Sequence, residues 1–315
     1  MRTLIVALLL AAQSPGPVFR FETDGFWLNM HHFLYVLGRA QNNERDVQRR
    51  AVINAPADST QGLAGQSDRD RRAWEDAIAF YANGLSKLDT VFSAPLIEVT
   101  NALRVAPDAA AASLKVDPAL HAVLQRAAPV YRAVWWNRHR AANRERVRAL
   151  TTQVSEHGDQ ILAFITRAYL ESWPKDGYPI NVSGYSNWAG AYSTSGDLLV
   201  VSSLDEGSRG PMGLEIVFHE AMHQWDQKMM TRLTRLSKQH QTAPPRGDIT
   251  HALIWYTAAE AVKRVIPAHV GYAESGGLWK QKGLGAHKVA LDAHWKPYLD
   301  GKGTLDEALL GLLKS

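Results

Sequence analysis

The chain has 315 residues, 46% of them hydrophobic, with ten tryptophans, no cysteine and a formal net charge of +4. That length and apolar content exclude a disordered polymer and allow one large domain or two modest ones. The missing cysteines exclude thiol nucleophiles, cysteine-rich zinc knuckles and iron–sulfur clusters, so any bound metal must rely on histidine and carboxylate.

Arg2, the apolar run over residues 4–12 and the following Gln13-Ser14-Pro15-Gly16-Pro17 read as a signal peptide over residues 1–14. Export to the periplasm or beyond is the expectation. The run is too short to span a bilayer, and no later stretch approaches about 20 uninterrupted apolar residues, so no stable membrane insertion is expected.

Residues 15–175 read as a helical N-terminal region. Asp24 can cap a helix over residues 25–38, where Phe26, Met30, Phe33 and Leu34 recur at helical spacing. The polar stretch 41–66 reads as mostly loop. A second helix is predicted over 68–92, shorter ones over 96–105 and 118–127, and a long one, open to a break, over 130–172 before Pro174. His31, His32, Tyr131, Trp135 and Trp136 read as packing residues. The basic run from Arg138 to Arg148 includes a single carboxylate, Glu145, and reads as a solvated helix face; no nucleic-acid partner is expected.

Residues 176–315 change character. Short strands are predicted over 180–182, 188–193 and 198–201, with Ser195-Gly196-Asp197 as a turn. Helices follow over 212–230 and from residue 248 or 250 to 265, the latter capped by Asp248 and stopped by Pro267. Two more are predicted over 288–298 and 304–313. The fold class is therefore mainly α with a small β-sheet, an α+β arrangement with the sheet directly before the 212–230 helix.

That helix carries His219-Glu220-Ala221-Met222-His223. Histidines at i and i+4 share one helix face and can grip one metal ion, and the intervening glutamate falls beside it as a base. From the composition, about 0.02 such matches are expected by chance. Catalytic zinc takes three protein ligands and leaves one position open. The pattern that adds a glycine at 226 and a histidine at 229 is excluded, because these positions are Asp226 and Met229.

Glu260 is the leading third ligand. It sits among apolar neighbours from Ala252 to Val262, where an unpaired carboxylate would cost several kcal/mol. An ion pair with a basic residue, or an exposed helix face, would also account for it. His251 lies nine residues earlier, about 180° round the same helix, and remains a runner-up ligand or proton donor. Asp226 suits a hydrogen-bond acceptor for His223; Glu274 and His294 are weaker ligands. Tyr272 and His251 are the candidates to stabilise an oxyanion.

With these residues the chain resembles the zincin metallopeptidases, specifically the glutamate-ligand branch that includes thermolysin. The resemblance covers about residues 178–265 and makes 176–315 a zincin-like catalytic region. It implies Zn2+ as cofactor, a peptide or protein substrate, and a water activated by Glu220 for attack on the peptide carbonyl. It also implies that an edge strand, here Asn187 to Tyr192, aligns the substrate. The interval from His223 to Glu260 is longer than in thermolysin, so residues 231–247 have to loop out. The alternatives are a non-catalytic zinc-site protein that binds a cell-envelope partner, and a zinc amidase acting on a non-peptide substrate.

Overall fold

The computed structural model describes residues 17–42, 49–106, 114–194, 198–280 and 284–315. The segment read as a signal peptide and the turn at 195–197 lie outside the described residues. The protein is mainly helical, with one four-stranded mixed sheet in the order β1-β2-β4-β3. β1 (Phe19–Glu22) is a strand that the sequence reading missed. Its Phe-Arg-Phe-Glu alternation is only four residues long, and its ladder partner β2 (Tyr178–Ser183) lies far along the chain. Phe19 fixes it in the core, edge-on to Phe218 at 4.9 Å and to Trp173 at 5.6 Å.

The crossover from β1 to β2 contains all the N-terminal helices. α1 (Phe26–Asn42) is buried along almost its whole length, with Phe26, Met30, Phe33 and Leu34 sealed from solvent. α2 (Ala55–Leu63) occupies the stretch expected to be loop; Pro56 is tolerated there because it falls in the first turn, whose N–H groups have no helical partner. α3 (Asp68–Asn83), α4 (Ala94–Arg104) and α5 (Pro118–Tyr131) complete the layer around α1. Trp74 and Trp135 stack at 4.6 Å in its centre.

The predicted break in the long helix is a π turn at Arg132–Trp136, just after Pro129 has removed a backbone donor. α6 (Asn137–Tyr169) follows and ends at Leu170 in the left-handed conformation. The basic run on α6 is held in pairs within the molecule: Arg140 and Arg144 to Asp24, Arg138 to Asp58.

β2 runs parallel to β4 (Leu199–Ser202), and β3 (Ala191–Ser193) is antiparallel to β4 at the sheet edge. All four β4 residues are buried, which suits a strand covered on both faces. β3 is shorter than predicted, because residues 187–190 form a turn that ends on Gly190 at φ +89°.

α7 (Gly210–Met222), α8 (Asp226–His240) and α9 (Ile249–Val265) then pack with the second half of α6 and with the sheet. The segment 231–247, expected to loop out, is helical as far as His240; Met229, Leu233 and Leu236 supply its buried stripe. Asp248 stands before α9 but makes no cap; its carboxylate accepts from His287 and Arg246 instead. α10 (Tyr272–Ser275), α11 (Leu284–Ala290), a π turn, α12 (Lys296–Leu299) and α13 (Leu305–Lys314) close the chain, the last with a Thr304/Glu307 capping box.

Two cores result, one around α1 and one around the sheet. They do not divide at residue 175, since β1 and the end of α6 belong to the sheet core. A polar seam joins them. Asn29 of α1 accepts from Gly184 N at 2.8 Å and from Asn143 at 3.0 Å, and Asn143 accepts from Ser203 at 2.7 Å.

His31 and His32 lie in this interior as hydrogen-bonded packing residues. His32 donates from Nδ1 to the Leu28 carbonyl at 2.9 Å and accepts from the Tyr192 hydroxyl at 2.8 Å. Burial lowers both rings below the usual 6.5, His32 to about 4. The unfolded chain therefore takes up protons first, and stability present above pH 6.5 is lost as pH falls toward 4. His32 alone should remove about 2 kcal/mol between pH 6.5 and 5. Urea unfolding at the two pH values checks this, with His32→Gln expected to flatten the slope; a midpoint unchanged with pH would contradict it.

Candidate metal centre

α7 starts with Pro211 in its first turn, and every residue from Gly213 to Met222 is buried. Glu215, His219 and His223 succeed one another at four-residue steps on one face. The helix expected over 212–230 is interrupted here. His223–Trp225 form a tighter 3-10 turn that drives Trp225 into the core, and α8 restarts at Asp226.

The sequence-predicted pair comes together, and a third histidine joins it. The imidazole centroids of His219 and His223 are 5.0 Å apart, and His251 lies 5.2 Å from each. One nitrogen from each ring falls within 4.8 Å of the others, an arrangement that can hold a metal ion. Tetrahedral coordination at about 2.0–2.1 Å requires donors about 3.3 Å apart, so the rings would close by no more than about 1.5 Å.

His251 reaches the pair because α9 crosses α7 with its first turn over the α7 C-terminus. Nine residues later on the same helix, Glu260 points the other way. Its carboxylate lies 3.7 Å from Lys263 and 3.6 Å from Lys296, so lysines supply the compensation expected from a metal. The residue that joins His219 and His223 is thus His251, and Glu260 lies outside the group that could hold a metal. Glu274 and His294 are exposed and lie outside the cluster.

The environment holds two of the three rings as neutral donors. Burial, reinforced by the neighbouring His223 and His251, lowers His219 well below its ordinary value; burial and His223 take His251 to about 4. For His223 burial pulls downward, but Asp226, bonded to Nδ1 at 2.5 Å, and Glu220 outweigh it and raise the value. Asp226 thereby fixes the ring and leaves Nε2 for a ligand. His219 Nδ1 is buried with no hydrogen-bond partner, a cost that a ligand at this ring would offset.

Glu220 is buried and receives a 2.8 Å hydrogen bond from Ser193 of β3. Burial raises its pKa above the usual carboxylate value, although His223 and Ser193 oppose the rise. The β3 residues are only 3–7% exposed, so the strand offers little free edge for a substrate to extend the sheet. Trp188 and Ala189, just before it, do reach the surface.

Tyr272 stands at the end of a ring stack. Trp255 lies 3.5 Å from the His219 ring on one side and 4.7 Å from Tyr272 on the other. The Tyr272 loop is clasped by Glu215, which is completely buried. One carboxylate oxygen is 2.5 Å from His269 Nε2, and Tyr272 N donates to both oxygens at 3.0 and 3.1 Å. Gly271 lies so close to α9 that a β-carbon there would meet Ala259 at 2.6 Å.

Ser193, Trp255 and Glu215 were not identified from the sequence. Glu215 carried a usable signal, as a lone carboxylate one turn before His219 in an apolar helix. Ser193 and Trp255 had none, because a serine on a short strand and a tryptophan on a buried helix ordinarily serve packing.

No protein-family model, curated protein or solved structure matches the chain.

The geometry separates the two ligand assignments. His251→Ala should weaken metal binding by more than about a hundredfold, whereas Glu260→Gln should leave it within about twofold, measured by equilibrium dialysis. The opposite ranking would restore Glu260. Glu215→Ala leaves the buried His269 and the Tyr272 amide without their acceptor and should cost about 3–5 kcal/mol in chemical denaturation. A loss below about 1 kcal/mol would mean the clasp is dispensable.

Proposed function

We propose that the protein is an exported zinc-dependent hydrolase that cleaves peptide bonds, with His219, His223 and His251 as ligands and Glu220 as general base. The observation that carries this reading is the buried Glu220 carboxylate, within electrostatic reach of His223, on the helix that carries two of three convergent imidazoles. A purely structural site has no use for such a group. A tetrahedral ion held by three histidines keeps one position open, and the exposed side of His251 supports access to it. A zinc ion bound there would supply Lewis acidity, polarising a water and a substrate carbonyl.

The residues of the chain perform the rest. Glu220, made more basic by burial, takes the proton of the attacking water and delivers it to the leaving amine. Ser193 donates to one oxygen of this carboxylate and leaves the other for the water. Asp226 orients His223. Tyr272, fixed by Glu215 and Trp255, is the hydroxyl candidate for charge developing on the carbonyl oxygen. The buried β3 directs the substrate past Ala189 and Tyr272 instead of along the strand.

The small mixed sheet with an antiparallel edge strand beside the His-Glu helix also supports a zincin-like reading. Digestion of a peptide library by zinc-loaded protein tests it. Cleavage should stop with chelator, and Glu220→Gln should lower kcat by about 10²–10⁴ while retaining zinc. If that variant cleaves as fast as the wild type, Glu220 is not the base.

A further inference from the structure

Beside Tyr272 lies a cavity of about 310 Å³ lined by Arg49, Arg50, Ala51, Trp188, Ala189, Met212, Tyr272, Ser275 and Gly276. Two features set it apart from ordinary surface relief. Its charged walls are two arginines, and both guanidinium groups are held in place. Arg49 lies over the Trp188 ring at 4.3 Å from its centroid. Arg50 donates from Nε at 3.2 Å to Asp205, a carboxylate only 1% exposed, while 56% of the arginine side chain remains open.

The Arg50 guanidinium also lies directly on Gly207, where a β-carbon would fall 1.4 Å from Cζ. Bonding through Nε leaves the terminal nitrogens, the forked end of the group, without a partner among the described residues. A fork held rigidly from behind is what bidentate recognition of a carboxylate requires. The stacked Arg49 adds a second cation, and Trp188, Met212 and Ala51 provide apolar walls for the atoms that carry the acid.

The cavity is coupled to the metal centre by position. Tyr272 forms its wall and ends the stack that begins at His219, two ring spacings of 3.5 and 4.7 Å away. Tyr272 is within electrostatic reach of Arg50, Asp205 and Arg49 at the cavity and of Glu220 at the centre. At about 3.3 Å per extended residue, a group in the cavity is within about three residues of a bond held at the centre.

We infer that this cavity is a carboxylate-binding subsite, so that the substrates are peptides with an acidic group, a free C-terminus or an acidic side chain, within about three residues of the cleaved bond. The inference rests on the hydrolase reading only for the identity of the reacting centre; the binding site stands on its own geometry.

Calorimetry with the full-length Glu220→Gln chain tests it without turnover. Three probes are used: an acetylated hexaalanine with a free carboxylate, its C-terminal amide, and that amide with one glutamate in place of an alanine. Each is titrated in chelator and again with one equivalent of zinc. The subsite predicts that at least one acidic probe binds about tenfold more tightly than the plain amide, in chelator as well as with zinc. Which acidic probe wins identifies the carboxylate as terminal or side-chain.

Adding Arg49→Gln and Arg50→Gln should bring the ratio within twofold; Arg50→Lys, which keeps the charge but loses the fork, should give an intermediate value. Circular dichroism confirms the fold of each variant. Equal binding of all three probes overturns the inference. So does a preference that survives loss of both arginines, or one that exists only with zinc, which would put the carboxylate on the metal. Acid preference in a wild-type chain that cleaves no peptide keeps the subsite and removes the hydrolase reading; cleavage without acid preference does the reverse.

Discussion

The packing of α9 against α7 is the constraint on which the centre depends. The two helices pack so closely that Trp255 stacks on His219 at 3.5 Å, closer than an ordinary aromatic pair. At that separation the first turn of α9 overhangs the end of α7, and His251 has no other place than beside His219 and His223. Three imidazoles so crowded, two of them depressed by burial, make a poor resting state for hydrogen bonding and a good one for ligation.

The helical N-terminal half takes part in this construction through β3. Because side chains alternate along a strand, Tyr192 and Ser193 point to opposite faces. Tyr192 donates to His32 of α1, inside the helical core, and Ser193 donates to Glu220, inside the metal centre. Asn187, just before the strand, donates to Thr90 at 3.0 Å. The strand is therefore anchored to the helical half on one face and orients Glu220 on the other. That dual attachment also explains why so little of the edge is free: tethered from both faces, β3 is covered along its length.

What the sequence made legible was local. The His-Glu pentapeptide, the apolar stripe of α1, the buried β4 run and the start of α9 all follow from spacing within one element. The third ligand did not, for an instructive reason. The half-turn offset between His251 and Glu260 implied that only one of them could join the pair, but which one depended on the side of α9 that faces α7. The residues before Glu260 are almost all apolar, and only Lys263 one turn later marked its side as one that a cation could satisfy. The deciding partner, Lys296, comes from a segment 36 residues later. β1 escaped for the same reason, since its only evidence is a ladder to a strand beyond the whole helical region. Pro56, taken as a loop signal, instead opened α2, because proline is equally at home in a first helical turn.

The stack of His219, Trp255 and Tyr272 gives the molecule a built-in spacing. Three rings in contact, with Glu215 clasping the far end through two backbone hydrogen bonds and His269, leave few degrees of freedom between metal centre and arginine cavity. A flexible connection would let a bound acid group wander relative to the reacting carbonyl and would lose the benefit of anchoring. In the proposed hydrolase a rigid one would convert binding at the arginines into position at Glu220, since orientation is worth far more to rate than affinity alone. Glu215 is thus placed to serve both ends. It sits on the same helix face as the ligands, one turn upstream, and from there fixes the loop that separates them from the cavity.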